Sequence, residues 1–371
     1  MLSPLQYERY SRQVSLKELG ESGQQKLLQA KVLVIGAGGL GCPILQYLAV
    51  AGVGQIGIAD DDIISLSNLH RQILYGVDDI GKLKAFTAAK KLQQLNPDVE
   101  WIVYETRITT ANAWNIISSF DFIVDGSDNF STRYLVNDAC VLLNKPLVYG
   151  SIFRFEGQVS VFNYEGSGNY RDVFAEPPLN GEVPDCAEAG VLGVLPGIIG
   201  SLMANETIKL ITGIGTLLTD SLLTYNALSN TFYEIALGTS NTINAQVPQD
   251  RAAFERKNYD LNCDLHTASA EIDVEAFNLL RTQQQITIID VREQGEAPVV
   301  DAFRHINLPL SELKKKAAVF NDETVVLFCQ SGKRSREAAA LISFTNLQST
   351  KIFTLKGGIL EWKKQQSKQA Q

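Results

Sequence analysis

The six residues "GAGGLG", Gly36 to Gly41, constrain this chain more than any other stretch. They follow directly on "KVLVI" (31–35), a short apolar run, and open into "CPILQYLAVAG", which has the composition of a buried helix. A strand that ends in glycines and turns at once into a helix is half of a βαβ unit, which calls for a parallel sheet covered by helices. Gly36, Gly38 and Gly41 fit G-x-G-x-x-G. In that pattern glycine allows a tight turn and close backbone approach to a phosphate, and the first helical amides point at the anion.

The alternation continues. "GQIGIADDD" reads as a second strand, and "KLKAFTAAKKLQQLNP" as a helix stopped by Pro97. "EWIVYETRI" and "FDFIVDGSDN" read as strands, separated by a helical segment around residues 110–119. From about residue 146 the texture changes to two hairpin-like strands, "PLVYGSI" and "GQVSVFNY". A Pro- and Gly-rich crossing from Glu176 to Pro196, the helix "GIIGSLMANETIKLI" and two strands near 221–237 follow. Residues 239–269 are polar and aperiodic, as expected of a linker. A second alternating pattern then begins near Glu271, with "ITIIDVRE", "TVVLFCQ", "SREAAALISF" and "TKIFTLKGG". The expected architecture is α/β throughout: a large Rossmann-like domain at 1–238 and a small α/β domain at 270–371. A chain of 371 residues is long enough for two cores.

Composition excludes some functions. A net charge of −8 argues against a general nucleic-acid binder. No apolar run approaches the roughly 20 residues of a membrane span. Five scattered cysteines do not form a disulfide framework, and "MLSPLQYERY" lacks the apolar core of a signal peptide. A cytoplasmic location with reduced thiols is expected.

Taken alone, the glycine loop fits an NAD-binding domain as well as any other nucleotide site. Its neighbours shift the reading. Asp60 closes the second strand, where a carboxylate can accept from ribose hydroxyls. "SLSNLHRQ" puts Arg71 just past that strand, "GKLK" puts Lys84 at the next helix start, and "DGSDN" puts Asp125, Asp128 and Asn129 at a later strand's carboxyl end. Arginine, lysine and a magnesium-binding carboxylate are what a triphosphate needs, and a dinucleotide carrier needs no such carboxylate.

Far away, "CQSGKRS" places Cys329 at a strand end, before a glycine and a helix start. Loop amides, the helix dipole and the nearby Lys333, Arg334 and Arg336 would favour a thiolate or an anionic persulfide there. An inert buried cysteine is the alternative. Cys42 and Cys140 lie on apolar helical faces as core residues, and His70 reads as a surface residue supporting the arginine motif.

"RYSRQ", "VLVIGAGGLGCP", "AGVGQIGIADDDIISLSNLHRQ", "DGSDNFSTRYLVND", "EGQVSVFNY" and "CAEAGVLGVLPGIIGSLMANETIKLITG" together resemble the MoeB/ThiF/HesA family, over residues 7 to about 237. The resemblance implies adenylation, by Mg2+–ATP, of the C-terminal glycine of a ubiquitin-like sulfur-carrier protein ending in Gly-Gly. It carries ATP roles onto Gly39, Ser67, Asn68 and Asn129 beside Asp60, Arg71, Lys84 and Asp128, with Asp128 holding magnesium. It also implies a homodimer in which Arg12 reaches the partner's site, and a relay or loop thiol at Cys186. Relatives often hold zinc with two Cys-x-x-Cys pairs. Here Asn169 and Asp172 stand at the first pair, and Cys263 and His266 at the second, so zinc is not expected.

Residues 270–369 resemble a rhodanese domain through "IIDVRE", "CQSGKRSREAA" and "LKGGILEW", with Cys329 at the sulfur-carrying position. Together the two resemblances imply adenylation followed by sulfur transfer to a thiocarboxylate. An external sulfur donor, or a non-catalytic scaffold, remains the alternative, and neither carrier nor pathway (molybdopterin, thiamine or tRNA thiolation) is specified.

Overall fold

The computed structural model describes residues 1–177, 190–238, 246–259, 269–283, 286–313, 324–345 and 351–369. The chain divides into two compact units, Met1–Tyr259 and Asp260–Gln371.

The first unit opens with helices α1 (Pro4–Val14) and α2 (Gly20–Gln29), followed by strand β1 (Lys31–Ile35) and helix α3 (Gly41–Ala51). Then come β2 (Gln55–Ala59), α4 (Lys84–Leu95), β3 (Glu100–Tyr104), α5 (Ala113–Ser118), β4 (Phe122–Asp125) and α6 (Phe130–Leu143). The hairpin β5 (Leu147–Phe153) and β6 (Glu156–Phe162), the short α7 (Tyr170–Val173), the long α8 (Leu195–Thr212), β7 (Ser221–Asn226), β8 (Thr231–Ala236) and α9 (Arg251–Arg256) complete it.

These strands form one sheet in the order β3-β2-β1-β4-β5-β6-β7-β8. It is parallel from β3 to β5 and antiparallel beyond. The chain leaves β1 towards β2 and β3, then returns to the other side of β1 as β4. Strand order therefore reverses between β1 and β4, and the crevice outside their carboxyl ends is where such sheets bind ligands. Register sets Ile35 beside both Ala59 and Asp125, so the three loops that follow emerge side by side.

Side-chain alternation along β1 fills two cores. Val32 and Val34 face the side covered by α3, α4 and α8, and Leu33 and Ile35 face that covered by α5 and α6. Around β1 the sheet is thus buried on both faces, which is why β1, β2 and β4 read as apolar runs.

One segment departs from the expected linker. Residues 246–259 pack on the first unit. Phe254 of α9 is fully buried in the core beside α5 and α6, its ring 6.5 Å from that of Trp114. The apolar residues among these fourteen, Val247, Ala252, Ala253, Phe254 and Tyr259, follow no sustained helical or strand period, so packing rather than pattern decides this segment.

The second unit contains β9 (Ser269–Ile272), α10 (Val274–Gln283), β10 (Thr287–Asp290), β11 (Ile306–Asn307), α11 (Leu310–Leu313), β12 (Thr324–Phe328), α12 (Lys333–Thr345), β13 (Lys351–Leu355) and α13 (Gly358–Gln369). Its parallel sheet has the order β11-β10-β12-β13-β9, with β12 central and buried along its whole length. Val325 and Leu327 face α11 and α12, while Val326 and Phe328 face α10 and α13. Continuing the alternation, Cys329 falls on the α12 side.

Candidate functional site

A cavity of about 480 Å3 opens at the carboxyl ends of β1, β2 and β4. Its floor is the glycine loop. Gly36 has φ +88°, a left-handed conformation natural to glycine, and a Cβ on Gly41 would lie 2.0 Å from the Gly36 carbonyl oxygen. Asp60 braces the loop: Oδ2 accepts from the Ala37 N–H at 2.7 Å and Oδ1 from the Asp62 N–H at 2.9 Å. Burial holds the Asp60 carboxyl above its usual range, against the lowering pull of the Ala37 amide and of Lys84.

Cations gather on one flank. Lys84 opens α4, nearly buried, and its Nζ lies 2.7 Å from Asp62 Oδ2. Arg71 Nη1 donates to the Ser67 carbonyl at 3.1 Å and lies 2.9 Å from His70 Nε2, which explains the place of His70 beside the arginine. Asn68 shapes the turn before Arg71 by accepting from the Ser65 N–H at 3.1 Å. Asp128 is exposed and lines the cavity, and Asn129 caps α6 by accepting from the Thr132 N–H at 2.9 Å.

Gly36, Gly38, Gly39, Asp60, Asn68, Arg71, Lys84, Asp128 and Asn129 all line this cavity. Ser67 and Gly41 do not. Ser67 pairs with the Ser65 hydroxyl at 3.0 Å, and Gly41 serves the turn itself. Arg12 is exposed on α1 and is absent from the lining of its own chain's cavity. Cys186 lies outside the described residues.

Arg107, Arg133 and Gln72 are among the lining residues that escaped the sequence reading. Arg107 follows β3 in "ETRI", a strand carboxyl end that the same topological rule would have flagged. Arg133 is buried, donating from Nη2 to the Ser127 carbonyl at 3.2 Å, with its guanidinium 5.4 Å from the Phe130 ring centre. Gln72 is 3% exposed, and its Oε1 has no hydrogen-bond partner among the described residues. A buried amide oxygen without a partner costs free energy until a ligand satisfies it.

The donor set suits a hard cation bound with phosphates, because the Asp128 carboxylate faces the cavity as an oxygen ligand. The first of the two positions at which relatives often hold zinc is otherwise employed. Asp172 Oδ2 accepts from both nitrogens of Asn169, at 2.8 and 2.7 Å, and Asn169 Oδ1 accepts from the Arg171 N–H at 2.9 Å, closing a helix cap that offers no thiolate. Cys263 and His266 lie outside the described residues.

Beside that cap lies a buried ionic cluster. Asp138 accepts from Arg171 Nε and Nη2 at 2.6 and 2.9 Å, from Lys257 Nζ at 3.1 Å and from the Tyr259 hydroxyl at 2.7 Å. The segment after β8 is thereby tied to α6 and α7.

In the second unit Cys329 is 1% exposed, and its Sγ accepts from the Gly332 N–H at 3.1 Å. The carbonyls of Cys329 and Gln330 accept from the Ile359 and Leu360 N–H groups at 2.8 and 3.2 Å, so the first turn of α13 holds this loop from behind. Two of the cations expected near Cys329 have carboxylate partners. Arg334 is paired with Glu296, and Arg336 lies 3.9 Å from Glu271. Cys42 and Cys140 are fully buried; burial pushes the Cys42 thiol up to about 12 and the Cys140 thiol well above its ordinary value. Neither offers a thiolate.

Comparison with known proteins gives this geometry its context. The ThiF family model matches residues 10–245, and the rhodanese-like domain model residues 273–365. The chain is 41% identical to the probable adenylyltransferase/sulfurtransferase MoeZ of Mycobacterium tuberculosis, covering 98% of this chain and 94% of that one. It is 37% identical to the adenylyltransferase and sulfurtransferase MOCS3 of Xenopus laevis, covering 95% and 85%. Escherichia coli MccB shares the fold, with a TM-score of 0.56 at 23% identity over 64% of this chain and 71% of that one. The chain belongs to the ThiF family, as a member that also carries a rhodanese-like domain, and is an enzyme of the adenylyltransferase and sulfurtransferase class.

Proposed function

We propose that the cavity binds Mg2+–ATP and adenylates the C-terminal glycine of a ubiquitin-like sulfur-carrier protein, which then receives sulfur from Cys329. The observation that carries this reading is the convergence of the glycine loop, Asp60, Arg71, Lys84 and Asp128 on one cavity. The brace from Asp60 to Ala37 sets the loop amides for phosphate, and Asp60 retains lone pairs for ribose hydroxyls. Arg71 and Lys84 neutralise the charge that gathers when the carrier's carboxylate attacks the α-phosphate and pyrophosphate leaves. A magnesium ion, held by Asp128, would supply further screening of the phosphate oxygens. The resulting acyl-adenylate has AMP as leaving group where the free acid had only hydroxide. The outer sulfur of a Cys329 persulfide then attacks the acyl-adenylate and expels AMP, leaving an acyl disulfide. A second thiol, Cys186 or an external one, attacks the Cys329 sulfur, so that a new disulfide forms and the thiocarboxylate leaves with the electron pair.

Arg12 fits donation to a second copy in a homodimer, since it is exposed and lies off its own cavity. A reducing compartment such as the cytoplasm would keep Cys329 available as a thiol. No helix among the described residues is long and apolar enough to cross a membrane.

ATP–pyrophosphate exchange in the presence of a Gly-Gly carrier tests the first stage, and the intact mass of the carrier tests the second. Replacement of oxygen by sulfur, lost in Cys329→Ser while exchange persists, is expected. An AMP adduct that never gains sulfur would point to an external donor. Absence of exchange with every carrier tried would favour a scaffold.

A further inference from the structure

Among the described residues, Arg334, Arg336 and Arg292, in or beside the Cys329 loop, each have a carboxylate within 4.0 Å. Arg334 gives Glu296 two hydrogen bonds, Nη1 to Oε2 at 2.7 Å and Nη2 to Oε1. Arg336 lies 3.9 Å from Glu271, and Arg292, whose guanidinium lies over the Phe328 ring, pairs with Asp290 at 2.6 Å. A bidentate guanidinium–carboxylate pair uses the same fork that would otherwise take an oxyanion.

Glu296 is itself held in place. Its carbonyl accepts from Arg292 Nη1 at 3.2 Å, its N–H donates to the Glu293 carbonyl at 3.1 Å, and its Oε2 also accepts from the Glu293 N–H at 3.4 Å. The carboxylate is therefore preset against Arg334, and an incoming anion has to displace it.

We propose that Glu296 determines which sulfur donor Cys329 accepts: by occupying Arg334 it disfavours small dianionic donors such as thiosulfate and leaves the loop suited to a persulfide carried on a thiol. The proposal rests on Cys329 being the sulfur-carrying nucleophile. With a persulfide donor, the Cys329 thiolate attacks the outer sulfur, a new S–S bond forms, the donor's S–S bond breaks, and the donor leaves as a thiolate with the electron pair. With thiosulfate the same attack expels sulfite. Both routes end at the same Cys329 persulfide, and the donors differ in charge and in the group that leaves.

The test compares the full-length chain, Glu296→Gln and the double variant Glu296→Gln/Arg334→Gln. Sulfite release from thiosulfate and cysteine release from cysteine persulfide are measured, with peptide mass spectrometry of Cys329 in each case. The ratio of kcat/KM for thiosulfate to that for cysteine persulfide should rise about fivefold or more in Glu296→Gln, mainly through KM, as expected when a partly exposed guanidinium is freed. The double variant should lose the gain. An unchanged ratio, or an equal rise with both donors, would overturn the role of Glu296 while Cys329 still gains sulfur. If wild-type Cys329 gains sulfur from neither donor, the nucleophile assignment fails, and the proposal with it.

Discussion

Tyr259 donates its hydroxyl to Asp138 at 2.7 Å across 121 positions of sequence. Arg171, 3% exposed, shares that carboxylate. Removing the charge leaves the guanidinium buried without its counter-ion. Asp138→Asn should therefore cost about 3–5 kcal/mol, whereas Tyr259→Phe, which removes one hydrogen bond, should cost about 1–2 kcal/mol. Denaturant unfolding followed by circular dichroism gives the order. Equal costs would mean that the Asp138 charge contributes no more than one neutral hydrogen bond.

The close approach of Gly41 to the Gly36 carbonyl leaves no room for a methyl group. Both partners are backbone, so neither can swing aside. Gly41→Ala should destabilise the first unit by about 2–3 kcal/mol and weaken ATP binding by deforming the loop. Calorimetric titration with a non-hydrolysable ATP analogue checks the second effect; wild-type affinity would show that the turn relaxes freely.

Gln72 offers a test in which stability and binding move in opposite directions. Replacing it with methionine removes an unpartnered buried amide oxygen, so the free protein should be as stable or up to about 1 kcal/mol more stable. If that oxygen meets the nucleotide, ATP binding should weaken roughly three- to tenfold. Unchanged ATP affinity would remove Gln72 from the site.

Asp79 provides a pH signature. Lys91, followed by the Gly76 N–H and Lys82, lowers its carboxyl to about 2 against burial. The sign follows: a depressed carboxylate stabilises the fold above its unfolded value near 4 and loses that contribution as pH falls through about 2. The partner lysines are partly exposed, so roughly 1–2 kcal/mol is at stake. Acid unfolding of Asp79→Asn should show a shallower decline between about pH 4 and 2; a slope like wild type would refute the assignment.

Gly358 has φ +60°, and a Cβ there would lie 2.5 Å from the Cys329 carbonyl oxygen. Gly358→Ala should push the loop away from α13 and slow sulfur loading of Cys329 by about tenfold or more. Pyrophosphate exchange should continue, because the first unit does not contain this residue. Loss of both activities would indicate general misfolding.

The strand–glycine–helix run at 31–51 and the apolar strands around it were legible because their signals are local. Glycine's tolerance of positive φ and the two-residue alternation of a strand are each encoded within a few neighbours. Motif spacing likewise put Asp60 and Asp128 just after strand ends and Arg71 and Lys84 in the crossover from β2 to α4, and the topology gathers all four at one cavity. The strand β9 was glimpsed only as a pattern starting near Glu271, since four residues at a sheet edge carry little periodicity.

By itself, then, the sequence determined the two α/β patterns and the residue types at the nucleotide and sulfur loops. Tertiary structure alone decided the partners: Asp138 with Tyr259, Arg334 with Glu296, and Gln72 Oε1 buried without one among the described residues. The reason is physical. Backbone conformation follows from steric limits within a few residues, whereas a charge pairs with whichever opposite charge packing brings within about 3 Å, and for Arg334 that carboxylate comes from a loop 38 positions away.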